Sequence, residues 1–115
     1  MYTIWKVGDE EYRLCMTTLM SLQVEKQLGK GMSEIVDHIS DMSVITTLLW
    51  GGLQKFNHGM TLKNVCELYD KYIASGGSFE QIMDVLMELL AQIGYGTQPD
   101  KNPQNSLTDV QSIEA

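Results

Sequence analysis

Apolar and polar residues alternate at the start of the chain and then take up a helical rhythm. Tyr2–Val7 is rich in aromatic and β-branched residues, and Tyr12, Leu14 and Met16 alternate with Arg13 and Cys15. Gly8-Asp9-Glu10-Glu11 between the two runs is a turn sequence. This pattern predicts a β-hairpin. A lone hairpin is marginal in water, so its apolar side must pack on the rest of the domain.

From Thr17 the spacing becomes helical. Thr18 can cap a helix running to Leu28, with Met20, Val24 and Leu28 in one row and Gly29 as a left-handed terminator. Ser33 to His38 or Ile39 reads as a short helix with Ile35, Val36 and Ile39 inward. Ser43 opens a stronger one, in which Val44, Ile45, Leu48, Leu49, Gly52, Leu53 and Phe56 follow the i, i+3, i+4 template, and Asn57-His58-Gly59 ends it. Thr61 caps the next, whose stripe is Leu62, Val65, Cys66, Tyr69, Tyr72 and Ile73, stopped by Gly76-Gly77. Ser78 with Gln81 forms a capping box for the last long helix, with stripe Phe79, Ile82, Met83, Leu86, Leu89, Leu90 and Ile93, closed by Gly94.

The expected fold is mainly α: a small domain of about four to five helices carrying an N-terminal β-hairpin. Short linkers imply that consecutive helices pack together. The predicted core includes Leu48, Leu49, Leu53, Phe56, Leu62, Val65, Tyr69, Phe79, Ile82, Leu86 and Leu90. After Gly94 the composition shifts to turn-formers, with Pro99 and Pro103 and almost no apolar mass up to Asn105. The expected division is therefore a helical domain over 1–96 and a flexible tail over 97–115 that adds little stability. Within the tail, Leu107, Val110 and Ile113 have the spacing of a short amphipathic helix, too short to be stable alone.

Composition narrows the function. The 115 residues carry 8 Lys and Arg against 15 Asp and Glu, a net charge of −7, which disfavours binding to nucleic acid or anionic lipid. No leader sequence and no membrane-length apolar stretch is recognisable, and Cys15 and Cys66 read as free, partly buried thiols of a reducing cytosol.

Candidate chemistry is sparse. His38 and His58 have no Ser or Cys nucleophile beside them in sequence, and His58 suits the carboxyl end of its helix. Cys-x-x-Cys, His-x-x-x-His and calcium-loop patterns are lacking, so no metal or cofactor is expected. Gly29-Lys30-Gly31-Met32-Ser33 is a helix-to-helix turn rather than a phosphate loop, because it follows a helix and has no Ser or Thr after the lysine. Gly51-Gly52 costs a helix about 1–2 kcal/mol relative to alanine. The pair permits close approach, first by a helix of the same chain and second by a partner. Glu80, Asp84 and Glu88 lie four apart on one face of the last helix, and Glu67 with Asp70 face outward on the one before. That acidic surface is either a solvated face or a docking face for a basic partner. Eight methionines supply core filling or adaptable contacts, Met87 lying just beside the last stripe. The residues describe an acidic helical interaction domain rather than an enzyme.

Ordered pieces of the chain carry a family resemblance. They are Gly8-Asp9-Glu10-Glu11-Tyr12-Arg13-Leu14, Thr17-Thr18, Val24-Glu25-Lys26-Gln27-Leu28-Gly29, Leu49 through Gly59, Leu68-Tyr69-Asp70-Lys71-Tyr72-Ile73 and Gly76-Gly77-Ser78. Together, over about Val7 to Gly94, they resemble the tail assembly chaperones of long-tailed phages and prophages of Gram-positive bacteria. The resemblance implies a small, largely helical, non-enzymatic protein of the host cytoplasm, absent from the finished virion. It implies binding to the long tape measure protein during tail building, keeping it soluble, and help in recruiting tail tube protein. Self-association or arrayed binding along that partner is compatible with this. No catalytic residue is carried over. The residues themselves nominate Glu80, Asp84 and Glu88 as steering charges and Met87 as an apolar contact. Two other classes remain open: a cytoplasmic acidic adaptor or regulator unrelated to phage, and a small enzyme using His58 or Cys66.

Overall fold

The computed structural model describes residues 1–95; the predicted tail lies outside them. Strand β1 (Thr3–Val7) pairs antiparallel with β2 (Glu10–Leu14), from Thr3 opposite Leu14 to Val7 opposite Glu10. The turn is tighter than expected: Glu10 and Glu11 belong to β2, and Gly8, at φ 62°, takes the bend. Alternation sends Thr3, Trp5, Val7 and Leu14 inward and leaves Ile4, Lys6, Glu11 and Arg13 outward.

Five helices follow among the described residues: α1 (Thr18–Leu28), α2 (Met32–Asp37), α3 (Met42–Leu53), α4 (Leu62–Ala74) and α5 (Phe79–Gln92). The mainly helical fold with an N-terminal hairpin is thus as expected. Most boundaries shift by a residue or two, and the end of α3 by three. Thr17, not Thr18, caps α1, its hydroxyl accepting from the Met20 N–H, while Gly29 closes the helix at φ 69°. α4 and α5 open with reciprocal capping boxes, Thr61 with Asn64 and Ser78 with Gln81, which satisfy amide donors that have no partner within the helix.

The third helix ends at Leu53, before Phe56, although the Asn57 N–H still donates to the Leu53 carbonyl (2.8 Å), and side-chain and hairpin donors reach carbonyls of its last turn. Gln54 Nε2 donates to the Trp50 carbonyl (3.1 Å) and to Met60 (2.8 Å), and the Cys15 N–H donates to Gly52 (2.8 Å). These groups occupy the role expected of His58, which is exposed on the loop.

α3 contains no charged residue and is buried from Val44 to Leu49 and from Gly51 to Leu53. It is the central element: α1, α4, α5 and β2 pack on it, α5 and α4 also hold β1, and α2 rests on α1. The two glycines explain how so many neighbours fit. A Cβ on Gly51 would lie 2.6 Å from Val24 Cγ2 of α1, and one on Gly52 would lie 3.1 Å from Leu89 Cδ1 of α5. Both close approaches are made within the chain. A third is at Gly77, where a side chain would collide with the Tyr72 ring; that ring folds over the α4–α5 turn and its hydroxyl donates to the Ser78 carbonyl (2.6 Å).

The core contains Leu48, Leu49, Leu53, Val65, Tyr69, Ile82, Leu86 and Leu90 as predicted, joined by Trp5, Val7, Leu14, Val24 and Ile35. Phe56 and Leu62 are only half-buried, and Phe79, Ile73 and Cys66 are exposed. Phe79 sits in the first turn of α5, at the edge of the packed face. Phe56 lies past the end of α3, its ring edge-on to Tyr2 (centroids 6.0 Å apart) and 4.4 Å from the Arg13 guanidinium carbon. Gln92, in the last turn of α5, joins the two ends of the domain: its Oε1 accepts from the Met16 N–H (2.8 Å) and its Nε2 donates to Thr3 Oγ1 (3.0 Å).

Candidate partner-binding surface

Successive helical residues turn by about 100°, so the positions of α5 that miss the core fall into adjacent rows. Glu80, Asp84 and Glu88 form one row, all exposed. Phe79, Met83 and Met87 form the next; Met83 is half-buried against the core, while Phe79 and Met87 are 49% and 45% exposed. The nominated residues Glu80, Asp84, Met87 and Glu88 therefore share the outer face of one helix. Glu80 also lies in the first turn, where a carboxylate meets the positive end of the helix dipole.

On the other side of the acidic row is a groove of about 270 Å³, where Gln81, Asp84 and Val85 face Ile4 and Lys6 of β1 and Tyr72 of α4. Its aromatic wall is built of rings in contact: the Trp5 ring lies 5.5 Å from Tyr72 and 6.3 Å from Tyr12. The acidic stripe thus runs between the Phe79–Met83–Met87 strip and a groove of mixed lining, apolar at Ile4, Tyr72 and Val85 and polar at Lys6 and Gln81. Periodicity within single helices could place the carboxylates but not the groove, which joins residues some eighty positions apart in the chain. The one local signal for it was the outward position of Ile4 in the strand alternation.

Electrostatics tie this region together. Glu10 Oε1 accepts from the Tyr12 hydroxyl (2.9 Å) and from Lys71 Nζ of α4 (3.2 Å). The Tyr12 bond, then the Lys71 bond and charge, hold the Glu10 carboxyl below the usual range. Burial raises the Tyr12, Tyr69 and Tyr72 phenols, so all three stay neutral across the physiological range.

The opposite flank differs in charge. Between α1 and the end of α3 lies a groove of about 500 Å³, to which Met20 and Trp50 give apolar surface and Lys55 and His58 basic groups. Gln23 is shared with an adjoining hollow of about 480 Å³ that includes Leu22, Lys26 and Lys30. The acid there, Glu25, is engaged: its Oε2 accepts from the Met32 N–H (2.7 Å).

The residues considered for catalysis are less organised. His38 Nδ1 lies 3.3 Å from Asp41 Oδ2 on the surface, Cys15 is half-buried, and Cys66 is exposed because it falls on the outer edge of the α4 stripe. Among the described residues, no group of three or more His, Cys, Asp or Glu side chains could hold a metal ion, and no helix is long and apolar enough to cross a membrane.

Neither a curated protein nor a solved structure matches the chain. A family model does match, over residues 2–115, and its description is "Family of unknown function (DUF6096)".

Proposed function

The chain belongs to that family, and we propose that it is a phage tail assembly chaperone, which binds the tape measure protein and keeps it soluble while the tail is built. One observation carries this reading: the outer face of α5, where exposed acids run between the Phe79–Met83–Met87 strip and the groove beside Ile4. A tape measure protein is a very long amphipathic helix, and its apolar stripe is uncovered until the tube closes around it. A helix-in-groove contact shields such a stripe. Glu80, Asp84 and Glu88 attract basic stretches of the same helix and raise the encounter rate, an effect that salt screens. The ordered resemblance from Gly8 to Ser78 supports the reading independently of the surface. Recruitment of tail tube protein and residence in the host cytoplasm, outside the mature virion, belong to the same proposal. A cytoplasmic acidic adaptor unrelated to phage is the competing reading, and the same face of α5 would serve it.

The test is co-expression with a tape measure protein encoded in the same genome. The chaperone reading expects that protein to move from the insoluble to the soluble fraction when this chain is present, and the two to co-purify. Replacing Glu80, Asp84 and Glu88 together by Gln is expected to slow association at low salt and to matter less at high salt. Equal solubility of the tape measure protein with and without this chain would overturn the reading and favour the adaptor.

A further inference from the structure

Two flanks of α3 carry clusters of like charge: carboxylates on the outer face of α5, and lysines beside α1 and the end of α3. Lys26, Lys30 and Lys55 lie along the α1–α3 groove and its adjoining hollow, together with Met20, Leu22 and Trp50. Leu19 and Leu22 on the outer side of α1 are 66% and 54% exposed, which extends the apolar surface. Of the other described basic side chains, Lys71 is paired with Glu10 (3.2 Å) and Lys63 lies near Glu67 (4.0 Å). Arg13 lies over the Phe56 ring, whose centroid is also 5.9 Å from Lys55 Nζ, and Lys6 borders the groove beside Asp84. The acidic and apolar rows of α5 are the chemical complement of the lysine-edged groove, exposed apolar side chains beside three carboxylates.

We propose that the α1–α3 groove receives the outer face of α5 from a second copy of this chain. A single chain cannot make this contact. α1 packs at Gly51 and α5 at Gly52, positions about 100° apart around α3, so the outer faces of the two helices point away from each other. The two surfaces are different, so the contact is heterologous and each copy keeps one free groove and one free α5 face. It therefore repeats, and the protein assembles in a row rather than as a closed pair, unless the rotation between copies closes a ring. The apolar contacts supply the attraction, and Lys26, Lys30 and Lys55 against Glu80, Asp84 and Glu88 fix the register. This inference does not depend on the tape measure reading. If both hold, the partner and the neighbouring copy compete for one face of α5.

The test needs only the full chain. Sedimentation velocity or light scattering at rising protein concentration is expected to show a mass growing above the 13.0 kDa monomer, and high salt to reduce it. Two charge-reversed chains decide the surfaces: Lys26→Glu with Lys55→Glu, and Glu80→Lys with Asp84→Lys. All four side chains are exposed, and circular dichroism checks that each variant folds. Each variant alone presents like charges on both surfaces, and its association is expected to weaken at least about tenfold. Mixed in equal amounts, the two present opposite charges at both contacts, and association is expected to return. A wild-type chain that stays monomeric into the submillimolar range would overturn the proposal, and so would variants that associate as the wild type does. Failure of the mixture to associate, with both variants folded, would also overturn it. A groove that instead takes a different acidic helix would appear as a monomeric wild type that binds that helix through Lys26 and Lys55.

Discussion

Replacing Gly51 by alanine tests the packing at the centre of the fold. Alanine favours a helix over glycine by about 1 kcal/mol, so an unobstructed site would be stabilised by that much. Gly51 is obstructed: the added Cβ would lie 2.6 Å from Val24 Cγ2 and 3.3 Å from Met16 Cε. Val24 is fully buried and β-branched, so its methyl cannot swing aside without leaving its preferred rotamer. Overpacking costs about 1–3 kcal/mol. A 2.6 Å contact with a buried methyl belongs to the upper part of that range, about 2–3 kcal/mol, which exceeds the helical gain by about 1–2 kcal/mol. Gly51→Ala is therefore expected to lose about 1–2 kcal/mol, a fall in Tm of about 4–15 °C for a domain of this size. Gly52→Ala is the internal control. Its nearest atoms are the two δ-methyls of Leu89 at 3.1 and 3.2 Å, which need to give by only a few tenths of an ångström. There the helical gain and the packing loss nearly cancel, and the change is expected to stay within about 0.5 kcal/mol. Thermal and urea unfolding of both variants, with a Gly51→Ser chain as a second report on the same space, measure the difference. A Gly51→Ala protein more stable than the wild type would refute the reasoning, because α1 could not then lie against that face of α3.

Further expectations concern the core and the tyrosines. Leu86→Ala, at a fully buried position of α5, is expected to cost about 2–5 kcal/mol in urea unfolding; a loss below about 0.5 kcal/mol would mean that the α5 stripe faces solvent. Burial raises the Tyr12, Tyr69 and Tyr72 phenols in the folded state above the unfolded value near 10. Their contribution is complete below that value and is lost as pH rises through the folded values, since the unfolded chain releases those protons first. Stability measured by urea unfolding is thus expected to fall on the alkaline side of about pH 10, and less steeply in a Tyr69→Phe chain; an unchanged slope in that variant would contradict the burial argument.

The strongly amphipathic segments were legible from spacing alone. Thr61 announced α4 as a cap and Ser78 announced α5 through its capping box, and the rows through Val65 and Tyr69 and through Ile82, Leu86 and Leu90 face the core as their periods require. The Glu80–Asp84–Glu88 row could be read in the same way, since an i, i+4 spacing fixes a shared face whatever lies opposite. Misassignments came where periodicity continues past the packing that justifies it. Phe56 keeps the helical spacing of α3, yet it lies past that helix's last residue, Leu53, where the Cys15 N–H of the distant hairpin reaches the Gly52 carbonyl. Phe79 and Ile73 match their stripes but sit at ends or edges, where no neighbour covers them. The groove beside Ile4 and the lysine-edged groove beside Trp50 each join distant segments. Their existence depends on which elements become neighbours, which a one-dimensional pattern leaves undetermined.

The bonds from Gln92 to Thr3 and Met16 set a clock for the newborn chain. The hairpin is made first, yet the side chain that satisfies Met16 N–H and Thr3 Oγ1 is separated from them by 76 and 89 residues. At synthesis rates of about 5–20 residues per second, that gap is on the order of 4–18 s. Until α5 emerges, Trp5, Val7 and Leu14 have neither Leu89 nor the rest of that helix to close over them. The last segment to be synthesised thus supplies the bonds that complete the first. A translation product that stops before Gln92 leaves the Met16 N–H and Thr3 Oγ1 without these partners.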